Sequence, residues 1–229
     1  MTVHSLQRNI NAIIVLRVNS TALKPNPGRR TASATERQRQ LIQATINCIA
    51  NHGLSDTTVA TVAREAGLSQ GIVNLHFQSK DRLLVETLRF VADEYKATWE
   101  KALAGAGPGH AEQLEALVYV DFNRNVFDRN KIAVWFAFWS EAKSQPTYRK
   151  LCAERDRRYD KKLRELVTAI IEEGGYQGLD PDTVTDGLSA MSAGLWLDLL
   201  ISPRAMSRDK AKAACRIWLA GLFPRHYPL

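Results

Sequence analysis

The chain has 229 residues, 45% of them hydrophobic, and a net charge of +7, which allows a substantial core and suits one small domain beside a larger one. Cys48, Cys152 and Cys215 are odd in number and far apart, which argues against a disulfide framework and favours buried thiols in a reducing cytoplasm. No run of about eighteen apolar residues occurs, so we expect no membrane-spanning helix.

The amino-terminal segment carries most of the excess charge. Five basic residues and no acidic residue precede Glu36, which leaves the rest of the chain nearly balanced. We therefore predict that residues 1–32 form a basic leader without stable structure. The alternatives are an overlong start of the reading frame and a basic arm that contacts phosphates or enters a minor groove. The apolar patch at 12–16 is too short for a secretory signal.

A first amphipathic helix follows the leader. Ser33-Ala-Thr-Glu36 resembles a capping box, and apolar residues recur at helical spacing from Leu41 to Ile49. Gly53 is expected to end this helix, because glycine readily adopts the backbone conformations that stop a helix.

The next stretch has the pattern of a helix-turn-helix. Apolar spacing predicts a short second helix that stops at Gly67, whose backbone freedom suits a tight turn. Ser69 can then cap a third helix, in which Gln70 and Asn74 stay polar while other positions are apolar. Two helices joined in this way can place the second one in a DNA major groove, which predicts a transcription regulator.

Every apolar pattern beyond this motif is helical. Ser79 is expected to begin a fourth helix that runs to Leu103. The further predicted helices are His110 to Phe127, Asn130 to Lys143, Thr147 to Glu173, Asp180 to Ile201 and Ser207 to Leu222. We therefore predict an all-α chain of about nine helices. It has a helix-turn-helix DNA-binding domain at 33–80 and an effector-binding and dimerisation domain at 81–229.

The helix-turn-helix resembles the DNA-binding region of TetR-type repressors. The residues that carry the resemblance are Thr58 to Ala63, the turn, Gly71 and the ending Phe77-x-Ser79-Lys80-x-x-Leu83-Leu84. The resemblance implies a cytoplasmic homodimeric repressor without a cofactor, which reads an inverted repeat in double-stranded DNA. It also implies that a small-molecule effector lowers the affinity for DNA.

The same resemblance implies which residues contact DNA. Thr58 and Lys80 are expected at phosphates. The residues expected where the third helix approaches the groove are Gln70, Gly71, Val73 and Asn74. Val73 also suits the core between the two helices, and Asn74 stands where many family members carry tyrosine. His76 is expected to be a packed anchor or a phosphate donor, with base reading as the alternative.

The second part of the chain resembles a narrower group, the repressors of choline-to-betaine synthesis genes. The resemblance is carried by Ala133-Val-Trp-Phe-Ala-Phe-Trp139, Gln145-Pro-Thr-Tyr-Arg149 and Gly194-Leu-Trp-Leu197. It implies that the effector is choline or a related quaternary ammonium compound. The alternative is a TetR-type regulator that senses an unrelated hydrophobic or multidrug-type ligand.

Aromatic residues of this part can hold a quaternary ammonium group, because aromatic faces attract such cations and a nearby carboxylate balances the charge. The predicted ligand-binding residues are Tyr119, Trp135, Trp139, Trp196 and Asp198. The aromatic residues of 135–139 point in several directions around one helix, so some of them must pack in the core. Core packing is the alternative for each of them.

The last two predicted helices carry apolar stripes, and small residues beside them permit close helix packing. In the family these helices meet their symmetry mates in a four-helix interface. The interface residues implied are Val184, Leu188, Met191, Leu195 and Trp218. The alternative is that the stripes pack inside one chain.

Two other classes of protein compete with this interpretation. For an enzyme, the sequence shows no catalytic motif, metal-ligand cluster or glycine-rich phosphate loop, so we predict no enzyme activity and no metal site. An effector-independent nucleic-acid-binding protein would show no ligand response and little sequence preference. The sequence leaves open whether the regulator can also activate.

Overall fold

The structure, a computed structural model, describes residues 27–123 and 128–228, without the side chains of residues 27–33, 155 and 156. Within these residues it has nine α-helices and no strand, which confirms the predicted fold class. The helices are α1 (Pro27–Asp56), α2 (Val59–Glu65), α3 (Gln70–Phe77), α4 (Lys80–Ala104), α5 (His110–Val120), α6 (Arg129–Glu141), α7 (Pro146–Gly174), α8 (Pro181–Ile201) and α9 (Arg208–Leu222). The predicted leader lies outside the described residues, apart from the opening of α1.

The start of α1 differs from the prediction. The helix begins at Pro27 and not at the predicted cap Ser33, since proline is favoured at a first helical position and no glycine or proline stands between Gly28 and Gly53. Gly53, with φ 81° and ψ 171°, interrupts the helix as predicted. The described residues divide into two units after Arg37, and all packing described below lies within residues 38–228.

Side-chain caps fix the helix ends of the helix-turn-helix. The Thr58 hydroxyl accepts the Thr61 backbone N–H at 3.1 Å, and the Thr61 hydroxyl accepts the Thr58 N–H at 2.8 Å. Gly67 makes the turn with φ 65°. The Ser69 hydroxyl then accepts the Ile72 N–H at 3.4 Å. These bonds satisfy donors that a helix start leaves open, and the predicted motif is confirmed.

The remaining helices form a bundle around α7, which lies against α4, α5, α6 and α8, while α9 packs on α5. Large buried side chains fill its centre: Trp135, Trp196, Tyr95, Phe122 and Phe138. The three cysteines are buried, as the sequence predicts. Helix α5 ends at Val120, before the predicted Phe127, and the chain then turns at Asp121. The Trp196 indole N–H donates to the Asp121 carbonyl at 3.0 Å and so holds this turn against α8.

Helix α8 is, within the described residues, the one helix long and apolar enough to cross a membrane by length and composition. The amino-acid sequence predicts no such stretch, because aspartate and serine residues interrupt the apolar residues of α8. Its buried residues pack within the protein, and they are Val184, Thr185, Leu188, Ser192, Leu195, Trp196 and Leu199. A core helix of this composition gives the same signal, so it is weak evidence for a membrane span.

Candidate functional site

Helix α3 has one buried and one exposed face. Val73 and Phe77 are buried in the core. The residues exposed on and directly after the helix are Gln70, Gly71, Asn74, Leu75 and Gln78. Ser69 and Ser79 cap α3 and α4, so the surface that α3 presents is fixed at both ends. This helix can therefore offer amide side chains to base edges.

Hydrogen bonds tie the helix-turn-helix to its neighbours. The Gln40 amide on α1 donates to the Ala66 carbonyl at 2.7 Å, which holds the end of α2. The Lys80 ammonium, in the first turn of α4, donates to the Ser55 carbonyl at 3.1 Å. A lysine at a helix amino terminus lies next to backbone N–H groups, and together they can bind a phosphate.

A cavity of about 180 Å³ lies in the larger part of the protein, between α4, α6, α7, α8 and the turn after α5. Its lining residues are Tyr95, Asp121, Trp139, Tyr159, Asp160, Ser189, Ser192, Ala193 and Trp196. Among the described residues, this lining combines four aromatic rings with two carboxylates and no basic side chain.

The four aromatic rings of the cavity pack against one another. The Trp139 and Trp196 rings are parallel within 9°, with centroids 6.2 Å apart. Tyr95 meets Trp196 edge to face at 6.1 Å, and its ring lies 5.6 Å from that of Tyr159. Packing of this kind fixes the ring orientations, so the aromatic faces are in place before any ligand arrives.

The two carboxylates of the cavity are held by hydroxyl groups. Asp121 is buried, its Oδ1 accepts the Tyr95 hydroxyl at 2.9 Å, and its Oδ2 lies 3.4 Å from the Tyr159 hydroxyl. Asp160 is half-buried and accepts the Ser189 hydroxyl at 2.8 Å. The site therefore presents negative charge beside aromatic faces, which is the arrangement that binds organic cations.

Comparison with known families identifies the class of protein. Residues 110–224 match the carboxy-terminal domain of BetI-type transcriptional repressors, and residues 41–87 match the TetR family of bacterial regulatory proteins. The chain belongs to the TetR family. It is a DNA-binding transcriptional regulator with a BetI-type repressor domain, as the sequence predicts, and the family is one of regulators rather than of enzymes.

Individual TetR-family proteins agree with this assignment. The HTH-type transcriptional regulator BetI of Escherichia coli strain K12 is 31% identical over 194 residues, which cover 82% of this chain and 94% of that protein. A transcriptional regulator of Pseudomonas aeruginosa PAO1 is 26% identical with a TM-score of 0.73, over 92% and 98% of the two chains. A Saccharomonospora viridis regulator in complex with choline has a TM-score of 0.73 at 23% identity, over 81% and 96%, and this likeness shows the fold alone.

The structure sorts the DNA-contacting residues that the TetR resemblance implied. Gln70, Gly71, Asn74 and Thr58 are exposed, so their contacts stay predictions that the surface permits. Val73 is only 1% exposed and packs in the core, which excludes a side-chain contact with a base. His76 is half-buried, with its ring 6.5 Å from that of Phe77, as expected for a packed anchor.

Of the five predicted ligand-binding residues, two line the cavity and three do not. Trp139 and Trp196 line the cavity, whereas Trp135 is buried behind them with its ring 6.2 Å from that of Trp139. Asp198 is exposed and does not line the cavity, because two helical residues after Trp196 turn it about 200° away. Tyr119 also lies outside it, where the Lys212 ammonium is 5.8 Å from its ring.

The sequence prediction missed most of the lining. The residues it did not name are Tyr95, Asp121, Tyr159, Asp160, Ser189, Ser192 and Ala193. One signal was available for Asp121, which follows Leu-Val-Tyr-Val and precedes phenylalanine, and an acid inside an apolar run is costly unless it has a role. The others are ordinary polar or aromatic positions of helices and carry no local signal.

The predicted interface residues lie mostly inside the chain. Val184, Leu188 and Leu195 are buried under neighbouring helices, while Met191 and Trp218 are partly buried. The burial of Val184, Leu188 and Leu195 fits the alternative of intrachain packing, whereas Met191 and Trp218 keep exposed surface and stay predicted interface residues. Another set of apolar and small residues faces outward and forms what we call the outer stripe: Ala190, Gly194, Leu197 and Ile201 of α8, and Ala213, Ile217 and Gly221 of α9.

Proposed function

We propose that this TetR-family protein is a homodimeric repressor that releases its operator when a small organic cation binds the aromatic cavity. Choline or a related quaternary ammonium compound is the effector we favour. The observation that carries the proposal is the cavity itself, in which four aromatic rings surround a buried carboxylate. The BetI-type domain and the choline-bound regulator of the same fold support it.

A cation suits this cavity better than a neutral apolar ligand does. Burying the Asp121 carboxylate is costly, and a positive ligand offsets part of that cost together with the Tyr95 hydroxyl. A quaternary ammonium group has no N–H that needs a hydrogen-bond partner, so it can rest on the Trp139 and Trp196 faces. A hydrophobic or multidrug-type ligand, the alternative, would leave the carboxylate without this compensation.

On the DNA side, we propose that α3 lies in the major groove of each operator half-site. Gln70 and Asn74 would then bond base edges, since each amide offers a donor and an acceptor. Thr58 and Lys80 would bond phosphates and set the register of α3 on the duplex. We therefore propose that the protein acts in the cytoplasm, where its operator lies.

Two helices connect the cavity with the helix-turn-helix. Helix α4 carries Lys80 in its first turn and Tyr95 at the cavity, about 22 Å further along its axis. Helix α6 carries Trp139 at the cavity, and near its start the Asn130 amide donates to Asn47 of α1 at 3.3 Å. We propose that the protein has two conformations, which differ in the placement of α4 and α6 and therefore in the spacing of the two recognition helices. A ligand that binds one conformation more tightly shifts the protein toward that conformation. The ratio of the ligand's affinities for the two conformations sets how far the operator affinity falls.

We propose that the dimer forms through the outer stripe. Leu197, Ile201 and Ile217 are 40%, 64% and 63% exposed, which is unfavourable for a protein that stays monomeric. Small residues between them allow α8 and α9 to approach a second copy closely. A two-fold interface requires a surface that matches itself, and we propose that the exposed apolar residues of α8 and α9 supply it.

Calorimetry with matched ligands tests the effector. Choline should bind about 30-fold more tightly than 3,3-dimethylbutan-1-ol, its uncharged isostere, because the two differ only in the charge that a desolvated aromatic cage recognises. Adding choline to the operator complex should release the DNA in a gel-shift assay, and the neutral isostere should not. Equal affinity for the two ligands, or release only by neutral fatty compounds, would favour the hydrophobic-ligand alternative.

A further inference from the structure

The outermost side chain of α3 is a leucine. Leu75 is 73% exposed, the largest value among the exposed large hydrophobic residues of the described chain. The core positions of this helix are Val73 and Phe77. At about 100° per residue, Leu75 lies about 160° around the helix from both Val73 and Phe77. It therefore points directly away from the protein core, and any surface on which α3 docks meets Leu75 first.

Gly71 lies one helical turn before Leu75 on the same ridge. A Cβ atom added at Gly71 would meet only the Ser69 hydroxyl, at an ordinary distance of 3.7 Å, so packing inside the protein does not require glycine here. Its missing side chain lets the α3 backbone approach a partner closely. Close approach at this turn brings the Leu75 side chain into contact with the same partner, while Gln70 and Asn74 flank it with hydrogen-bonding groups.

We infer that Leu75 packs against the 5-methyl group of a thymine in each operator half-site. The inference rests on the proposed placement of α3 in the major groove. The thymine methyl is the apolar group that a base edge presents there, whereas the other groups of the edges are hydrogen-bond donors and acceptors. Leucine would cover such polar groups without bonding them, which is unfavourable. Leu75 therefore acts as a specificity-determining residue that selects thymine over cytosine, adenine and guanine.

Replacing thymine by deoxyuridine tests the contact, since it removes only the methyl group. An operator is first selected from a random duplex library with the wild-type protein. Each thymine position of the half-site is then changed to deoxyuridine, one position at a time and in both half-sites of the same duplex. At the thymine that Leu75 contacts, we expect each lost methyl group to weaken binding about fourfold, which corresponds to the free energy of one methyl group in an apolar contact. Leu75→Ala should bind the thymine and deoxyuridine operators equally, and Leu75→Met should still distinguish them.

The controls separate this contact from the function on which it rests. Leu75 is exposed, so Leu75→Ala should keep the wild-type melting temperature and effector affinity. If an operator is selected but no deoxyuridine substitution weakens wild-type binding, the thymine contact is excluded while the repressor function stands. Equal losses in wild type and Leu75→Ala would also exclude it, because another group then reads the methyl. If no sequence is enriched at all, the proposed operator recognition fails, and this inference fails with it.

Discussion

Among single residues, we expect Asp121 to have the strongest influence on what the cavity can bind. It is buried, bonded to Tyr95, and surrounded by the aromatic rings that would hold a cation. Asp198 provides a natural comparison, because it is an aspartate of the same part of the chain that is exposed and faces away from the cavity. Substitutions at the two positions therefore separate the effect of removing a charge inside the cavity from the effect of changing the net charge of the protein.

Asp121→Asn should weaken choline binding about tenfold to a hundredfold, because it removes a negative charge close to the bound cation while keeping the shape and an acceptor for Tyr95. Asp198→Asn, the matched control, should change the affinity by less than about twofold. Calorimetry measures both. Wild-type affinity in Asp121→Asn would remove the carboxylate from the recognition of the effector.

A second residue couples stability to pH. Burial, and to a smaller extent the Asp121 carboxylate, raises the pKa of the Cys215 thiol to about 12. An unfolded thiol titrates near about 8.5, so at higher pH the unfolded chain binds fewer protons than the folded one. The stability that Cys215 contributes is therefore complete below that pH and is lost as the pH rises toward about 12.

We expect the free energy of unfolding to decline more steeply with alkaline pH in the wild type than in Cys215→Ala. The difference in slope can reach about 1.4 kcal/mol per pH unit, which corresponds to one proton. Urea unfolding at several values between about pH 8 and pH 11 measures it. Both proteins keep a residual decline, because burial also raises the pKa of Tyr119 and Tyr227. Identical slopes would mean that Cys215 does not titrate with unfolding.

At the scale of elements, the helix-turn-helix depends on two glycines for different reasons. Gly67 has φ 65° and no atom within 4 Å of an added Cβ, so its requirement is purely one of backbone conformation. Gly71 is helical and exposed, and nothing within the protein requires it. The first glycine therefore shapes the motif, and the second serves the surface that α3 presents.

Gly67→Ala should lower the free energy of unfolding by about 1–2 kcal/mol, since an L side chain disfavours the left-handed region. Gly71→Ala should instead raise it by up to about 1 kcal/mol, because alanine favours a helix, yet it should weaken operator binding. Denaturant unfolding and gel shifts measure the two effects. If Gly71→Ala left operator affinity unchanged, close approach of α3 to the DNA at this turn would be excluded.

At the scale of the whole molecule, the two faces of α8 have different surroundings. Leu188, Leu195 and Trp196 face the bundle and complete the core and cavity. The outer-stripe residues of α8 are exposed on the other side of the helix, and on α9 Ile217 is 63% exposed. A second copy on this stripe would place the symmetric operator-binding surfaces on one assembly.

Ile217→Glu should raise the dimer dissociation constant by at least about 100-fold, because a two-fold axis brings two uncompensated carboxylates into one apolar interface. Leu75→Glu is the matched control, since it places the same charge at an exposed leucine outside α8 and α9, and it should stay dimeric while losing operator affinity. Sedimentation velocity measures the assembly. A dimeric Ile217→Glu protein would place the interface elsewhere.

The amino-acid sequence by itself determined the number and order of the described helices, the turn at Gly67, the caps at Ser69 and Ser79, and the family. These features depend on residues within a few positions of one another, because helical spacing, capping and glycine conformation act over one or two turns. Through a resemblance that rests on local motifs, the sequence also predicted Trp139 and Trp196 as ligand-binding residues, and both line the cavity.

Only the tertiary structure decided which side chains share the cavity and which side of α8 faces outward. Tyr95, Asp121, Tyr159 and Ser189 come from separate parts of the chain and meet only when the helices pack, so no local spacing could join them. Both sides of α8 are apolar or small, and hydrophobic periodicity therefore could not choose between them. Packing against α7 decides which side of α8 is buried, because α7 covers one side and leaves the outer-stripe residues of α8 exposed.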